Sequence, residues 1–491
     1  MTAAGAQATH PPPGRRARRL GRVLAALVLW AGAAGAQGAD APERAAPAAG
    51  AGAQSVLTPD ALRDVAGRAA VSGRPDLARS AAEALLARDP DDVQALLILS
   101  RAARDGQDFD TARDAAGRAF RGAGDADTRY AAALAMAQAL SSDGARTRAQ
   151  FWLRRAMQIA PTERQKAQAV ADFRYVRSRN PWSTRLSFSV APSSNVNGGT
   201  TSESFDLFLP IGNGYYVPAP DLEPEGASRA LSGLEIGTGI STERVIFETR
   251  TRRISLDLGL SRRDVVLSDD ARDIAPDAEN GDFARTTVSA GLTQDWTTPS
   301  KRVGASIGAR LARDWYGGDL LSQTVSANGT LRVALAPRLL GQAGLSVDHE
   351  AGFGTREDAD GWRASLGATH VLEGGHRLSL ALSHRDRESD AEILDFTEQE
   401  AKLSLDLGRP VLGTGLAFGL SASGRAYEEH PYSLDGRNDR RYGAWARASL
   451  DELDYYGFVP DLTLSASRTE SDIGLYDSEE FGVSVGIRSK F

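Results

Sequence analysis

From Trp182 onward apolar residues fall on every second position, and they continue to do so as far as Phe491. Ile254, Leu256, Leu258 and Leu260 share one side of an extended chain, as do Val303, Ala305, Ile307, Ala309 and Leu311. The opposite side of the same segments is small or charged: Ser255, Asp257 and Gly259, then Arg302, Gly304, Ser306, Gly308 and Arg310. Side chains of a strand point alternately to two faces, so this period predicts strands with one apolar and one polar face. Counted along the chain, the pattern gives fourteen such segments, from Trp182–Ala191 to Glu480–Phe491. The second is placed at Leu231–Ser241, and Thr242–Arg252 reads as a turn plus an extension of the third.

A soluble sandwich would alternate in the same way, with its apolar face turned to a core. Three features favour a membrane barrel. Most segments reach the ~9–11 residues that a tilted strand needs to cross a bilayer. The connections alternate between short (Asp295–Lys301, Ala336–Arg338, Leu372–Gly375) and long (Pro192–Ala230, Val266–Asp282, Glu428–Arg440), with Tyr316–Leu320 short where a long one is expected. That is the outer-membrane pattern of tight periplasmic turns and long external loops. The last strand, GVSVGIRSKF, ends in the aromatic Phe491, which reads as a signal for the barrel-assembly machinery. Aromatics near strand ends (Trp182, Trp296, Trp315, Trp362, Tyr455, Phe458) suit interfacial girdles. Outer-membrane lipids are therefore the first expected partner.

Before Pro181 the period is helical. Punctuation recurs at Asp89-Pro90, Gly124-Asp125 and Ala160-Pro161, a spacing of 35 to 36 residues. That is close to the ~34-residue period of tetratricopeptide helix pairs, with a generic helical bundle as the alternative. Arg15, Arg16, Arg18, Arg19 and Arg22 precede an apolar run, Val23–Ala36, that closes on Ala34-Gly35-Ala36, the order of a secretory signal peptide. The chain thus divides into a signal at 1–36, an Ala/Gly/Pro-rich linker at 37–56, a tetratricopeptide-like periplasmic domain at 57–178 and a barrel at 181–491. The expected fold is α + β in two domains, helical repeats followed by a fourteen-stranded antiparallel transmembrane β-barrel in the bacterial outer membrane. An even strand number puts both ends of the barrel on the periplasmic side.

Chemistry is sparse. The formal net charge of −7 argues against nucleic acid as a partner, and the absence of cysteine removes thiol catalysis and thiolate metal sites. His349, His370 and His384 fall on the apolar, lipid-facing side of their strands. Adjacent residues such as Asp348 and His349 face opposite ways, so no catalytic set is expected, nor any cofactor or metal. The acidic loop residues, such as Asp269, Asp270 and Asp273, read as solvated loop charge. The polar face is more informative: Arg310, Arg363, Arg377, Arg385 and Arg447 are the lumen-lining candidates, beside Ser, Gly and Thr. Such a lining stays wet, and suits either a conduit or an inert set of ion pairs with Asp257 and Asp406.

The junction RNPWSTRLSFSVAPSSNVNGGT combines Pro181-Trp182, an alternating first strand and a Pro-Ser-x-Asn-x-Asn turn carrying Asn195 and Asn197. With the helical repeats before it and the barrel after it, this resembles the surface lipoprotein assembly modulator family. That resemblance implies a translocon-like protein that helps deliver lipoproteins or haem-binding proteins to the cell surface. The periplasmic helices would then receive or position the cargo, and the barrel would provide the passage or a lateral opening. The competing reading is an outer-membrane pore for solutes or polysaccharide with a periplasmic docking module. On residue chemistry alone, Asn195 and Asn197 are turn formers.

Overall fold

The computed structural model describes residues 57–491 except 213–214, 432, 434, 451, 454, 457 and 490–491. The expected signal at 1–36, the linker at 37–56 and Phe491 lie outside the described residues.

Seven helices come first: α1 (Pro59–Val71), α2 (Pro75–Arg88), α3 (Val93–Asp105), α4 (Phe109–Gly122), α5 (Ala126–Ser142), α6 (Arg146–Ile159) and α7 (Glu163–Arg179). Each packs on its neighbours in sequence, and α3 also packs on α1 and α5, so helix pairs stack as an array. Five of the helices begin at a side-chain cap: Thr58, Asp92, Asp108, Asp125 and Thr162 each accept a backbone N–H three residues on. Alanines let the helices approach closely; Ala78, Ala82, Ala95 and Ala116 have no exposed surface at all. Larger side chains fill the end nearer the barrel, where Tyr130, Leu140, Leu153 and Phe173 share one core. Arginines bind the stack from one pair to the next. Arg63 on α1 meets Asp92 at 2.7 Å, Arg79 on α2 meets Asp108 at 2.9 Å, and Arg113 on α4 reaches Asp143.

Asn180 ends α7 in an extended conformation (φ −78°, ψ 119°), as the residue before a proline prefers. Its side chain accepts from the Trp182 amide at 3.2 Å, and the Pro181 carbonyl accepts from Val245 at 2.8 Å. The chain then runs as strands: β1 (Trp182–Ser193), β2 (Phe205–Gly212), β3 (Tyr215–Leu222), β4 (Gly233–Glu248), β5 (Arg252–Leu267), β6 (Arg285–Thr297), β7 (Val303–Tyr316) and β8 (Asp319–Ala336). It continues as β9 (Leu339–Gly352), β10 (Ala359–Val371), β11 (Arg377–Ser389), β12 (Phe396–Asp406), β13 (Gly415–Tyr427), β14 (Arg437–Ser449), β15 (Phe458–Ser471) and β16 (Ser478–Ser489). Fourteen of these, all but β2 and β3, form one closed antiparallel barrel in which β1 pairs with β4 on one side and β16 on the other.

The outer face carries the apolar half of the alternation. Leu186 is 66% exposed, Leu366 65%, Leu420 59% and Phe481 55%, a band that only lipid would cover. Closing the sheet pairs its strands without leaving a sheet edge, which is what spanning hydrocarbon demands. The chain is therefore a transmembrane barrel of the outer-membrane kind, and the bacterial outer membrane is its place.

Two elements differ from expectation. The second barrel strand, β4, runs through Thr242 to Glu248, and the turn is confined to Thr249–Thr251, where the Thr249 amide donates to the Arg252 carbonyl at 2.7 Å. The polar run Ser241-Thr242-Glu243-Arg244 conceals that extension, although Glu243 pairs with Arg253 across it at 2.5 Å. The first long loop contains the β2–β3 hairpin, whose Pro210, Pro218 and Pro220 break the apolar alternation; a two-stranded ribbon tolerates them because both its strands are edges. The one short connection at the loop end is explained by Gly317 and Gly318, at φ +60° and +93°, the left-handed pair of a two-residue hairpin.

Burial raises the Asp92 carboxyl, but the Arg63 guanidinium and the Ala95 amide outweigh it and hold Asp92 below the ordinary aspartate range. A depressed folded pKa means stabilisation that is present above the unfolded value of ~3.9 and lost as pH falls through the folded one. Asp92→Asn keeps the cap and removes the charge. The helical unfolding midpoint of the full-length variant, followed by far-ultraviolet dichroism, should lie below wild type at pH 7. The two should converge as pH falls below ~3.9.

Candidate conduit inside the barrel

The inner face is built from the polar half of each strand. One rung crosses five strands in register: Arg363 on β10, Arg385 on β11, Glu398 on β12, Arg425 on β13 and Asp439 on β14. Like charges opposite one another are destabilising, so the arginines need carboxylates. Glu398 supplies two contacts, to Arg425 at 2.9 Å and Arg363 at 3.8 Å, while Asp348 on β9 stands 3.8 Å from Arg385. Above it toward the loops, Glu350 is 10% exposed and held between Arg356 at 2.8 Å and Arg387 at 2.9 Å. Below the rung serine and glycine alternate with further charge: Ser365, Ser383 and Ser423 stand level with Glu400 and Arg441, Glu400 pairs with Lys402 at 2.8 Å, and Ser379, Ser404 and Gly419 follow.

Trp445 on β14 interrupts this wall. Its indole lies against Gly419, where a Cβ would sit 2.3 Å from the ring, so only glycine admits it. Arg447 stacks over that indole at 5.2 Å and donates to Thr463 at 3.4 Å. Arg377 stands opposite Asp406 in register at the helical end of β11 and is exposed. On the other side of the lumen, Arg310 donates to Ser289 at 2.6 Å. It borders a recess of about 390 Å³ lined also by Arg185, Glu243, Asp257 and Asn328. Arg285 on β6 pairs with Asp314 at 3.0 Å. The five lumen-lining candidates are thus distributed along the barrel: Arg363 and Arg385 share the charged rung, Arg377 and Arg447 lie toward the helical end, and Arg310 lies across the lumen. The carboxylate partners of Arg363 and Arg385 escaped sequence reasoning, which looked to Asp257 and Asp406. Asp257 accepts from Thr293 at 3.2 Å and Asp406 stands opposite Arg377, while Arg363 turns to Glu398 and Arg385 to Asp348.

The Pro-Ser-x-Asn-x-Asn turn of the junction folds at the opposite end from the helices. Asn195 is 6% exposed, donates to the Gly199 carbonyl at 2.9 Å and accepts from the Gly199 amide at 3.0 Å. Asn197 donates to Ala227 and Arg229 carbonyls at 2.8 Å and accepts from the Leu231 amide at 2.9 Å. The two asparagines therefore close the base of the first loop, which contains β2–β3. Beneath it Val196, Leu231, Val265, Leu267 and Phe283 form an apolar cluster with a short helix, α8 (Asp269–Ile274). Pro181 and Trp182 sit at the other end of β1; the Trp182 ring is 41% exposed under the Arg244 guanidinium at 5.0 Å. On the outer face His349 Nδ1 meets Asp360 at 2.9 Å and the Trp362 and His384 rings lie 5.1 Å apart, so these histidines are lipid-side groups.

No protein-family profile matches the chain, and no curated protein does. Among solved structures, OprB of Pseudomonas putida overlaps it with 9% identity and a TM-score of 0.36, covering 65% of this chain and 96% of that one. An outer-membrane protein of Vibrio cholerae, a loop-deletion mutant of OmpT, gives 6% identity and a TM-score of 0.33 over 62% and 99%. A bacterial polysaccharide outer-membrane secretin gives 11% and 0.31 over 62% and 98%. Scores and identities this low transfer no function.

Asn197→Ala removes four hydrogen bonds at the loop base, on the order of 2 kcal/mol together. Limited proteolysis of the full-length variant should cut within 200–230 several times faster than in wild type. Glu398→Gln leaves Arg425 and Arg363 without their shared carboxylate. Reversal potentials across a salt gradient should shift toward anion permeability.

Proposed function

We propose that the protein is an outer-membrane conduit for a polar cargo, served by a periplasmic helical docking array. The observation that carries this is the inner wall, polar along its length with a charged rung across β10–β14, joined at its helical end to a stacked array of helix pairs. Stacked pairs expose an extended surface suited to binding another molecule. An inert barrel has no need of either feature. The helices share a side with the tight turns, which supports a periplasmic position for them and an external one for the long loops. The chain acts by binding and passage, without a reaction of its own.

The narrower form of this reading takes polypeptides as the cargo: lipoproteins or haem-binding proteins delivered to the cell surface. It is supported by the junction motif and by the array itself, which a pore for small solutes does not require. The broader form is a channel for solutes or polysaccharide.

The purified full-length protein in a planar bilayer should conduct ions, and a silent barrel would count against the channel form. Deletion in the native cell, followed by protease treatment of intact cells, tests the narrower form. Loss of surface-exposed lipoproteins is the expected result; unchanged exposure of all of them sinks it.

A further inference from the structure

The arginine–carboxylate pairs that bind the helical array stop at Asp143. The segment 57–143 holds 11 basic and 14 acidic residues, and ion pairs lace its helices. α6 and α7 hold nine basic residues and two acidic ones. Arg154 is engaged at the barrel, where it donates to the Tyr456 carbonyl at 2.8 Å. Among the described residues the other eight form no ion pair, and Arg148, Arg164, Arg174, Arg177 and Arg179 are exposed. The array is thus charged in opposite senses at its two ends. A helix C-terminus favours cations, which accounts for Arg177 and Arg179. It does not account for Arg146 and Arg148, in the first turn of α6, with no acidic residue in that turn and no side-chain cap. At that positive end of the dipole they cost stability, and anions from outside the chain would offset the cost.

α6 lies along the rim of the barrel. At its start the Thr147 hydroxyl accepts from the Asn180 side chain at 3.0 Å, where α7 passes into β1. Near its end Gln158 accepts from the Tyr456 amide at 3.1 Å, in the turn between β14 and β15. Roughly 16 Å of helix bridges these two ties. Thr147, Phe151, Arg154 and Gln158 fall three or four residues apart and share one face of α6. The face that ties α6 to the rim therefore also carries Phe151, which is 60% exposed between the ties. On α7, Tyr175 is 55% exposed under the Arg179 guanidinium at 4.3 Å, and the helix ends about 6 Å further along its axis. Trp182 and Arg244 repeat that pairing at the foot of β1. The turns at this end of the barrel carry further cations. Arg250, Lys301, Arg338 and Arg409 are exposed, and none forms an ion pair among the described residues.

We propose that α6 and α7 dock on the bilayer surface at this end of the barrel, where their arginines bind the phosphate headgroups of anionic phospholipids and Phe151 sits in the interfacial layer. Basic side chains interleaved with aromatics are what an interfacial helix presents to anionic lipid. The bilayer is within reach by construction, because Asn180 and Pro181 alone separate α7 from the lipid-facing wall. An acidic polypeptide bound by the helices would leave the cations on the turns around the rim unexplained. The docking holds whether the barrel passes polypeptide, polysaccharide or solute.

Hydrogen exchange of the full-length protein tests this in nanodiscs of phosphatidylcholine alone and of phosphatidylcholine with phosphatidylglycerol. Amides of Arg146–Ile159 and Glu163–Arg179 should exchange about tenfold more slowly in the anionic discs, while those of Pro59–Val71 should not change. The difference should vanish in ~1 M salt, where the screening length falls to ~3 Å. Arg148→Gln combined with Arg174→Gln and Arg177→Gln should remove it; Arg74→Gln with Arg88→Gln, at the far end of the array, should keep it. Equal exchange in the two discs, or a difference that survives the triple substitution, overturns the headgroup site. The lipid and salt comparisons use the wild-type chain, so they decide even where a variant folds poorly. The chain has no cysteine, so Phe151→Cys takes a single bimane label. Lipids brominated near the headgroup should quench that label more strongly than aqueous iodide does; a label reached by iodide alone overturns the docking. Polyglutamate that protects α6 and α7 in neutral discs, where phosphatidylglycerol protects nothing, would make this a surface for acidic polypeptide and overturn the lipid.

Discussion

Hydrocarbon supplies no hydrogen-bond partners, and the barrel is organised by that fact. Each strand needs a neighbour on both sides, and a sheet of fourteen strands meets the need only by joining its first to its last. Twelve strands find both neighbours through turns and loops that fix the register locally. The first and last are brought together from opposite ends of the barrel sequence, with no turn to set their register. The closing joint meets the constraint with pairing at Ser189, Val190 and Ser193.

The same alternation that puts leucine against lipid puts charge inside. A polar inner wall is electrically frustrated unless its arginines are answered, and here the answers come from neighbouring strands. Glu398 serves Arg363 and Arg425, and Glu350 serves Arg356 and Arg387. The result is a level of concentrated charge near the loop end, with serine, glycine and the Glu400–Lys402 pair below it, and Trp445 where Gly419 makes room.

Much of this architecture was legible in local pattern. The alternation of Ile254–Leu260 and Val303–Leu311 announced β5 and β7, and Asn180-Pro181 marked the end of α7, because period and proline stereochemistry act over a few residues. The polar end of β4 and the proline-broken β2–β3 hairpin were not legible, since neither carries an apolar stripe. The partners of the lumen arginines were hidden for another reason. Whether Arg425 meets Glu398 or Arg385 meets Asp348 depends on strand register, which couples residues 27 and 37 positions apart. The closing joint is more remote still, because it concerns two strands separated by nearly the whole barrel.

The junction stretch gains its meaning from this. Pro181 and Trp182 start β1 where the helices end, and Asn195 and Asn197 hold the loop that fastens the other end of the same strand to the β15–β16 loop. A turn former and an interfacial aromatic are unremarkable separately. On one strand, they set where the chain enters the wall and where its first loop is fastened to the β15–β16 loop. The helical array is attached across the closing joint, through α7 to β1 and through Arg154 to Tyr456. The spacing of β1 and β15 at this end is therefore tied to the packing of α6 on α7.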